Sequence, residues 1–431
     1  ALLLAYVPRL PDADRRGGLR VANGSPRVAG GTRRRLNVFA VTQIAASFVL
    51  VAGAALLVKT FLALQAASPG FDTSRVLAVN VPVTSFGRTP AQTRDFYRRV
   101  QEQVGQLPGV DHAAIGSAVP WRDGGQFERG GFRFQIEGAT TSDGNDPRAK
   151  MRSISPGYFA ALGVPLVDGR DFTADDRDGA ERVVIITESL ARALFPGREV
   201  VNRQLTWTDP VMRFVGMSRE PRRIVGVVKD IDDEHLIPGP VMTVYHPFEQ
   251  QVAGGRVFVH TRANPYALVP QITQIVRTAA VDQPIERAAT LDDIRAEVLT
   301  PDRLNAAVFG LFALVAVAIA VIGVAGVLAF TVSGRTREFG IRLALGALPQ
   351  TLLRGVVASG AAIAGTGIVV GVAVGAAGAR LAASYVERVQ WPGIGIVVAA
   401  SATLLLAGVV ASLVPALRAA RTNVVEALRA E

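Results

Sequence analysis

Residues 306–332 read AAVFGLFALVAVAIAVIGVAGVLAFTV, an apolar run without a charge between Arg303 and Arg335. At a rise of about 1.5 Å per residue, a helix of this length crosses a hydrocarbon core of about 30 Å. Helices buried inside soluble domains rarely run so far without a charged residue. The stretch therefore predicts a membrane-spanning helix, and it decides the class of fold.

Three further uncharged runs have the same character: Leu36–Val58, Gly355–Ala379, and a run that ends at Leu417. Hydrophobic residues make up 49% of the 431 residues, and the mean hydropathy is +0.30, which exceeds what one soluble core of ordinary composition shows. The sequence predicts an integral membrane protein with four transmembrane α-helices.

Arginine placement sets the orientation, because short basic flanks are retained in the cytoplasm. Three basic clusters fall on one side of the predicted helices: Arg33–Arg35; Arg335, Arg337, Arg342 and Arg354; and Arg418, Arg421 and Arg429. That side is predicted to be cytoplasmic. The connection between the third and fourth helices, with Tyr385 and Trp391 as interfacial anchors, then faces outward, as does the large segment between the first two helices.

The resulting organisation has nine parts. These are a cytoplasmic linker after a truncated upstream module (1–35), helix one (36–64), a large extracytoplasmic domain (65–304), helix two (305–333), a cytoplasmic segment (334–353), helix three (354–380), a short external loop (381–394), helix four (395–418) and a cytoplasmic tail (419–431).

The outer segment reads as an α/β (α+β) domain. Residues 77–83 alternate as a strand does, Thr89 and Pro90 suit the start of a helix that ends at Gly105, and a second strand follows near residues 113–118. This is a β-α-β unit.

A comparable unit recurs late in the segment, with a strand at 257–260, a helix that Asn264 and Pro265 open, and a strand at 285–291. We therefore predict two β-α-β lobes and an inserted subdomain between them. The elements predicted for the subdomain are a short helix from Ser155, strands at 183–186 and 224–228, and a helix at 191–195; the glycine-rich stretches 123–131 and 140–146 are predicted loops.

No catalytic constellation is visible in the sequence. The 4 histidines are scattered, cysteine is absent, and neither H-E-x-x-H nor G-x-S-x-G occurs. The acidic cluster of residues 230–235 suits either a divalent cation or, as the favoured interpretation, a solvated loop. No lysine follows a glycine, which excludes ATP binding by a P-loop in this sequence. We predict a chain that is not an enzyme and binds no cofactor.

The net charge of +10 does not indicate a nucleic-acid partner. Lys59, Lys150 and Lys229 are the only lysines, and the arginines are interleaved with acids along the chain. A basic stripe with interleaved aromatic residues, which would indicate nucleic-acid binding, is missing from the sequence.

The segment 335–347, RTREFGIRLALGA, allows two interpretations. Phe339, Leu343, Leu345 and Leu348 can form the apolar face of an interfacial amphipathic helix beside the arginines. Alternatively, the segment is an ordinary loop retained by its positive charge.

Residues 337–347, REFGIRLALGA, resemble the R-E-I-G-I-R-x-A-x-G-A motif that follows the second helix of MacB/FtsX-like ABC transporter permeases. Segments of the outer domain are also similar to that family, among them SPGFD at 68–72, LPGV at 107–110, SPGYF at 155–159, GRDF at 169–172 and VGVV at 225–228. The resemblance implies a coupling helix that rests on a separate ATP-binding subunit. Its expected coupling residues are Arg337, Glu338, Gly340, Arg342, Ala344, Gly346 and Ala347.

The chain is particularly similar to the second module of the duplicated orphan permeases first described in acidobacteria. A Val-Pro-x-Leu sequence at residues 7–10 is echoed at 414–417, as a repeated module would produce. The tail departs from the family, because Asn423-Val424 stands where Asp-Pro is usual.

The resemblance implies a permease subunit that transmits ATP-driven conformational change to its extracytoplasmic domain for efflux or export. The alternative is an FtsX-like membrane-anchored sensor or scaffold that regulates extracytoplasmic partners and transports nothing. The expected partners are an ABC ATPase dimer, a second permease module (fused upstream or a homodimer), the lipid bilayer, and a periplasmic adaptor or outer-membrane channel. The expected location is the bacterial inner membrane, with the large domain in the periplasm.

Helix three carries Gly367, Gly371 and Gly375 at a spacing of four, nearly on one face. Small residues let helices approach closely in lipid, so the stripe predicts contact with a helix of a neighbouring module, unless it reflects only an alanine- and glycine-rich composition. Thr42, Gln43 and Ser47 in helix one are predicted packing contacts rather than an ion path, because no intramembrane acid or base accompanies them.

The orientation can be tested with a compartment-sensitive reporter. A reporter fused within the insert (65–304) should be active only outside the cytoplasm, and the same reporter placed in segment 334–353 should show the opposite response. Recovery of the insert reporter in the cytosol would contradict the topology.

Overall fold

The computed structural model of the chain describes residues 30–82, 88–123, 130–137, 146–213, 217, 219–234, 240–252, 255–281, 283–383 and 393–420. The chain divides into an outer unit, Leu62–Pro301, and a helical unit, which comprises Ala1–Phe61 and Asp302–Glu431. Most of the two predicted glycine-rich loops, His235, the connection with Tyr385 and Trp391, and the tail from residue 421 lie outside the described residues.

In chain order the elements are α1 (Gly30–Ala66), β1 (Val76–Asn80), α2 (Pro90–Gly105), β2 (Val110–Gly116), β3 (Phe132–Ile136), β4 (Arg148–Ile154), α3 (Tyr158–Leu162), β5 (Leu166–Gly169), β6 (Val183–Thr187), α4 (Glu188–Leu194), β7 (Gln204–Trp207), β8 (Arg222–Val228), β9 (Thr243–Pro247), β10 (Arg256–Thr261), α5 (Val269–Ala279), β11 (Glu286–Thr290), α6 (Leu291–Ser333), α7 (Thr336–Ala344), α8 (Pro349–Ala383) and α9 (Ile394–Ala420).

The helical unit contains α7, α8, α9 and most of α1 and α6. Of these, α1, α6, α8 and α9 are long and apolar enough to cross a membrane. Each span predicted from the sequence lies within one of them. Ile44, Val324, Ala364 and Leu404 are buried in the common core of the unit. Large apolar side chains such as Leu314 remain exposed, as expected where lipid is the solvent.

Helix α6 begins 14 residues before the predicted span, immediately after β11. Thr290 caps its first turn: the Asp293 N–H donates to the Thr290 hydroxyl at 3.1 Å, and that hydroxyl donates to the Asp293 carboxylate at 2.7 Å. The hydrogen bonds from Tyr266 and Thr290 lower the pKa of Asp293. The charged residues that mark this stretch as non-membrane in sequence therefore form the polar start of the same helix.

The outer unit is built on one 11-stranded sheet. Its first part has the order β11-β1-β10-β2, and each neighbouring pair is antiparallel. The early and late β-α-β units thus occur as predicted, but their strands interleave. The expectation of two separate β-α-β lobes is wrong, because β10 lies between β1 and β2. The early unit is thus a split β-α-β unit whose gap is filled by a strand of the late unit.

One face of this four-strand region is covered by α2 and α5. Leu77 and Val79 of β1 share a buried core with Phe96 and Val100 of α2 and with Ile272 of α5. The other face of β1, with Val76 and Ala78, faces a second core, so the strand is buried on both sides.

The predicted start of α2 is confirmed. Thr89 and Gln92 form a reciprocal capping box, and Pro90 is the first helical residue. The predicted apolar face, Phe96, Tyr97, Val100 and Val104, is buried, so this helix could be placed from sequence pattern alone.

The inserted part of the chain forms its own lobe. Strands β4, β3, β7, β8, β6 and β9 pair in succession, and β9 pairs with β4 to close the ring. The buried-strand predictions for 183–186 and 224–228 are confirmed within β6 and β8, whereas helix α4 begins at Glu188 rather than at Ala191. A separate core with Phe134, Ile186 and Trp207 fills the ring.

Within this core the indole N–H of Trp207 donates to His246 Nε2 at 3.2 Å. His246 is 2% exposed, and burial, together with the positive charges of Arg222 and Arg182, holds its pKa well below 6.5. Burial and the charge of Arg182 likewise lower the pKa of Arg222 to about 10. The folded lobe therefore keeps the imidazole neutral as the acceptor of the Trp207 hydrogen bond.

Acidification should weaken this lobe through His246. Below pH 6.5 the imidazole binds a proton in the unfolded state but stays neutral in the folded state. The free energy of unfolding therefore falls as pH falls, by up to about 1.4 kcal/mol per pH unit. His246→Gln should flatten that dependence in urea unfolding followed by tryptophan fluorescence.

The matched control is His112→Gln, which changes an exposed histidine on β2. It leaves the hydrogen bond of Trp207 to His246 in place, so the contribution of His246 to the pH dependence should remain. An unchanged slope in His246→Gln would contradict a neutral buried imidazole.

Candidate functional site

The segment that follows α6 in the helical unit is a short helix with a defined end. After a turn at Gly334 and Arg335, α7 runs over 9 residues to Ala344, and Gly346, whose φ is +90°, turns the chain out of the helix. The N–H of Gly346 donates to Leu343 O at 3.0 Å, and the N–H of Ala347 donates to Arg342 O at 3.0 Å. This is a Schellman C-cap, a role for which glycine is suited because it has no Cβ.

One side of α7 belongs to the core of the helical unit. Phe339 is 7% exposed and joins a buried cluster with Val332 of α6 and with Leu352 and Val356 of α8, and Leu343 packs against that cluster. Gly340 is buried as well. The amphipathic-helix interpretation of this segment is therefore favoured over that of an irregular loop.

The predicted apolar face is wrong in its second half. Leu345 and Leu348 are 83% and 68% exposed, rather than continuing the face that Phe339 and Leu343 begin. The reason is the end of the helix: Ala344 is its last residue, Leu345 is the C-cap and Gly346 turns the chain away, so helical periodicity does not extend to Leu345 or Leu348.

The outer side of α7 carries charge. Arg342 Nη2 lies 2.6 Å from Glu338 Oε1, and Arg335 Nε lies 3.8 Å from Glu338 Oε2. These exposed pairs stabilise the helix by only about 0.3–0.5 kcal/mol each, so they orient side chains more than they hold the fold. The backbone of Arg337 lies in α7, and its side chain is outside the described part of the chain.

The predicted coupling residues thus fall into two groups. Glu338, Arg342, Ala344 and Gly346 are exposed, whereas Gly340 is buried and Ala347 is half-buried. Together with the exposed Ile341, Leu345 and Leu348, the first group forms what we call the coupling surface. Leu345 and Leu348 were predicted on the same face as Phe339, and Ile341 was not among the predicted residues.

The glycine stripe of α8 contacts a helix of the same chain. A Cβ at Gly367 would lie 2.6 Å from Ile44 Cβ, and one at Gly371 would lie 2.8 Å from Phe48 Cβ, whereas at Gly375 the nearest atom is 3.9 Å away. The prediction that this stripe receives a neighbouring module is wrong, because α1 occupies it.

Helices α8 and α9 also approach closely, at positions that the sequence analysis did not single out. A Cβ at Gly360 would lie 3.0 Å from Ser412 Cβ, and one at Gly408 would lie 2.9 Å from Ala364 Cβ. The signal was present as small residues four apart on both helices, Gly360 with Ala364 and Gly408 with Ser412.

The prediction that the polar residues of α1 make packing contacts is confirmed. Gln43 Nε2 donates to Ile319 O at 2.6 Å, and Ser47 Oγ donates to Ala316 O at 3.0 Å, both in α6. Thr42 donates to Val38 O within its own helix at 2.9 Å. A Cβ at Gly323 would lie 2.2 Å from Gln43 Oε1, so that glycine makes room for the amide.

In the outer unit, the acidic cluster faces cations and hydroxyls of the chain itself. Lys150 Nζ lies 2.7 Å from Glu234, and Arg152 Nε lies 2.6 Å from Asp233. Asp230 accepts hydrogen bonds from the N–H and hydroxyl of Ser189. These contacts give the described carboxylates a structural role, which differs from both the metal-ligand and the solvated-loop interpretations.

Comparison with known proteins matches both parts of the chain. Residues 36–288 match the family model of the MacB-like periplasmic core domain, and residues 310–424 match that of the FtsX-like permease C-terminal region. The coupling surface lies inside the second match.

Individual relatives cover much of the chain. The macrolide export ATP-binding/permease protein MacB of Rhodospirillum rubrum is 29% identical over 67% of this chain and 44% of its own length. The pyoverdine export ATP-binding/permease protein PvdT of Pseudomonas syringae is 28% identical over 76% of this chain and 47% of its own length. The uncharacterised ABC transporter permease YknZ of Bacillus subtilis is 25% identical over 66% of this chain and 70% of its own length. The chain thus spans less than half of the MacB and PvdT relatives.

Alanine substitutions should change the free energy of unfolding by different amounts at different glycines of the stripe. Gly371→Ala should reduce the free energy of unfolding by about 1–3 kcal/mol, because its Cβ would overlap Phe48. Gly375→Ala, the matched control on the same helix face, should leave it unchanged or raise it. Denaturation in mixed micelles, followed by circular dichroism, measures both; equal effects would contradict the α1–α8 packing.

Proposed function

The chain belongs to the MacB-like and FtsX-like permease family, and on this premise we propose that it is the permease subunit of an ABC transporter. In this role it carries no ATPase site of its own. A partner ATPase hydrolyses ATP, and the permease transmits the resulting movement to its periplasmic domain for efflux or export.

The coupling surface is the observation that carries the proposal. Leu345 and Leu348 are large apolar side chains left exposed in a segment that faces the cytoplasm in the predicted topology. Burial of one leucine on a partner stabilises a complex by about 1.5–3 kcal/mol. The neighbouring Glu338 and Arg342 can then form ion pairs that fix the register of the partner.

Behind this surface, α7 is anchored to both adjacent helices. Phe339 is buried with Val332 of α6 and Leu352 of α8. A force on α7 therefore acts directly on α6 and α8, and through the close Gly371–Phe48 contact on α1. Because packed cores have discrete arrangements, such a displacement favours a switch between two states of the helical unit over a gradual deformation.

The outer unit is connected to the two helices that would transmit this switch. Arg295, in the second turn of α6, donates to Leu64 O at 2.8 Å, to Gln65 O at 3.4 Å and to Ala67 O. These carbonyls lie in the last turn of α1 and directly after it. One side chain therefore holds the end of α1 against the start of α6. Relative movement of the two helices would have to break these hydrogen bonds or carry the outer unit with it.

The proposed location is the bacterial inner membrane, and the proposed partners are an ABC ATPase dimer and a second permease module, fused upstream or as a homodimer. Because α1 occupies the glycine stripe, that second module would have to use another face of the helical unit. A periplasmic adaptor or an outer-membrane channel would contact the outer unit.

A sensor or scaffold that regulates extracytoplasmic partners is the second candidate function. It shares the coupling surface and differs only in having no cargo. Inside-out vesicles in which ATP hydrolysis depends on the coupling surface, but which accumulate no cargo, would favour it.

Disruption of the coupling surface should uncouple the ATPase. With the tagged chain purified from native membranes under nucleotide-trapping conditions, wild type should recover an ABC ATPase identified by mass spectrometry. Leu345→Asp should reduce the recovered amount by about tenfold or more, as expected for the loss of one buried leucine and the burial of a charge. Arg342→Glu should weaken recovery less.

The matched control is Val281→Asp, which places the same charge on a valine that is 91% exposed in the outer unit. Its recovery of ATPase should equal that of wild type. Recovery of no ATPase with wild type, or undiminished recovery with Leu345→Asp, counts against the proposed function.

A further inference from the structure

The outer unit contains a cavity of about 450 Å³ where the loop after β2, strand β11 and the start of α6 meet. Its apolar lining consists of Trp121, Ala288, Ile294 and Val298. The volume falls in the range of about 300–1,000 Å³ that is typical of small-molecule sites. The cavity uses none of the residues of the coupling surface.

Two strained residues line this cavity. Trp121 has a φ of +61° and Arg287 a φ of +49°; among the described residues, the remaining non-glycine with positive φ is Asn202, a residue type that tolerates this conformation. Bulky side chains rarely adopt it. Such strain persists where the surrounding structure enforces it, and it concentrates at binding sites.

Strand β11 is bulged at the cavity. Ala78 pairs with Ala289 and Asn80 pairs with Glu286, so the register shifts by one residue over Arg287 and Ala288. A bulge redirects the side chains it contains. Here both of the bulged residues line the cavity.

Specific contacts hold the strained backbone in place. The Trp121 N–H donates to Asp233 O at 2.6 Å, and the indole packs against Phe71 with ring centroids 5.2 Å apart. Arg122 Nη1 donates to Arg287 O at 2.9 Å. The two left-handed positions are therefore joined through Arg122, and the cavity wall is a built structure rather than a gap between loops.

The charges of the lining favour an anion. Among the residues that the structure describes, Arg122 and Arg287 line the cavity together with one carboxylate, Glu297. Glu297 lies 3.8 Å from Arg122 and its side chain is 77% exposed, so the pair is loose and contributes little. An anionic group that binds here would meet guanidinium groups able to form charge-assisted hydrogen bonds.

We propose that this cavity binds an amphipathic monoanion. The apolar body of the ligand lies against Trp121, Ile294 and Val298, and its anionic group pairs with the guanidinium groups of Arg122 and Arg287. The ligand then contacts β11, the first turns of α6 and the loop that Asp233 holds. Because the site involves no ATPase, its failure and the failure of the proposed permease function are separately observable.

The test uses ω-bromooctanoate, a soluble amphipathic carboxylate whose bromine quenches tryptophan fluorescence at contact. Titration of the full chain in nanodiscs of zwitterionic lipid should give saturable quenching, and Trp121→Phe should abolish the saturable part. The neutral ω-bromooctanol and a bromoalkyl trimethylammonium cation should bind at least about tenfold more weakly, as expected from the loss of a charge-assisted hydrogen bond.

Substitutions of the lining identify the charges involved. Arg287→Gln should weaken ω-bromooctanoate by about tenfold, and Glu297→Gln should tighten it by removing the competing carboxylate. Arg277→Gln, an exposed arginine on α5, is the matched control and should bind as wild type does. Because Arg287→Gln leaves Trp121 in place, an emission maximum equal to that of wild type shows that the indole keeps its packed environment.

The source of the anion follows from the lipid composition. If nanodiscs with anionic lipid lower the apparent affinity for ω-bromooctanoate, membrane lipid competes for the site. If the affinity is unchanged, the ligand is a soluble acid. Either result supports the proposal. Non-saturable quenching, equal binding of the anion, alcohol and cation, or unchanged affinity in Arg287→Gln would overturn it.

Discussion

One guanidinium group holds together the two helices between which the outer unit is inserted. Arg295 of α6 donates to the carbonyl oxygens of Leu64, Gln65 and Ala67; the first two belong to the last turn of α1, where carbonyl groups lack intrahelical partners. Hydrogen bonds from a charged donor to otherwise unpaired carbonyls are among the stronger ones in proteins. The capped start of α6 follows β11 directly in sequence, and β11 pairs with β1. The beginning and the end of the outer unit are therefore fixed at the same place.

Features that depend on local sequence could be predicted well. The four long helices follow from uncharged runs, since a hydrocarbon solvent penalises every charge in the span. The capping box at Thr89 and the buried face of α2 follow from residue types at fixed offsets. Even the division of the coupling segment into an anchored and an exposed side was partly visible, through Phe339 and Leu343. It was misjudged at Leu345 and Leu348, where the helix period was extended past Ala344, the last residue of the helix.

Features that depend on which distant segments meet could not be predicted. Strand periodicity identifies β1, β2 and β10, but it does not reveal that β10 enters between the other two. A glycine stripe specifies close approach without naming its partner, and α1 of the same chain proved to be that partner. The cavity is a harder case still: Trp121 and Arg287 look like ordinary loop and strand residues, because Trp and Arg are not residue types that indicate a positive φ or a bulge. Only the folded backbone brings Arg122 to the carbonyl of Arg287.

Strands β1 and β11 are direct neighbours, with Leu77 opposite Thr290. The outer unit therefore leaves its first strand and returns through its last at adjacent positions, one after α1 and the other before α6. A domain whose ends emerge side by side can be transplanted between two helices without stretching either connection. This arrangement makes the strand region portable: chimaeras that exchange Val76–Thr290 for another domain with the same spacing of its ends would keep both membrane helices and the contact of Arg295 with the end of α1.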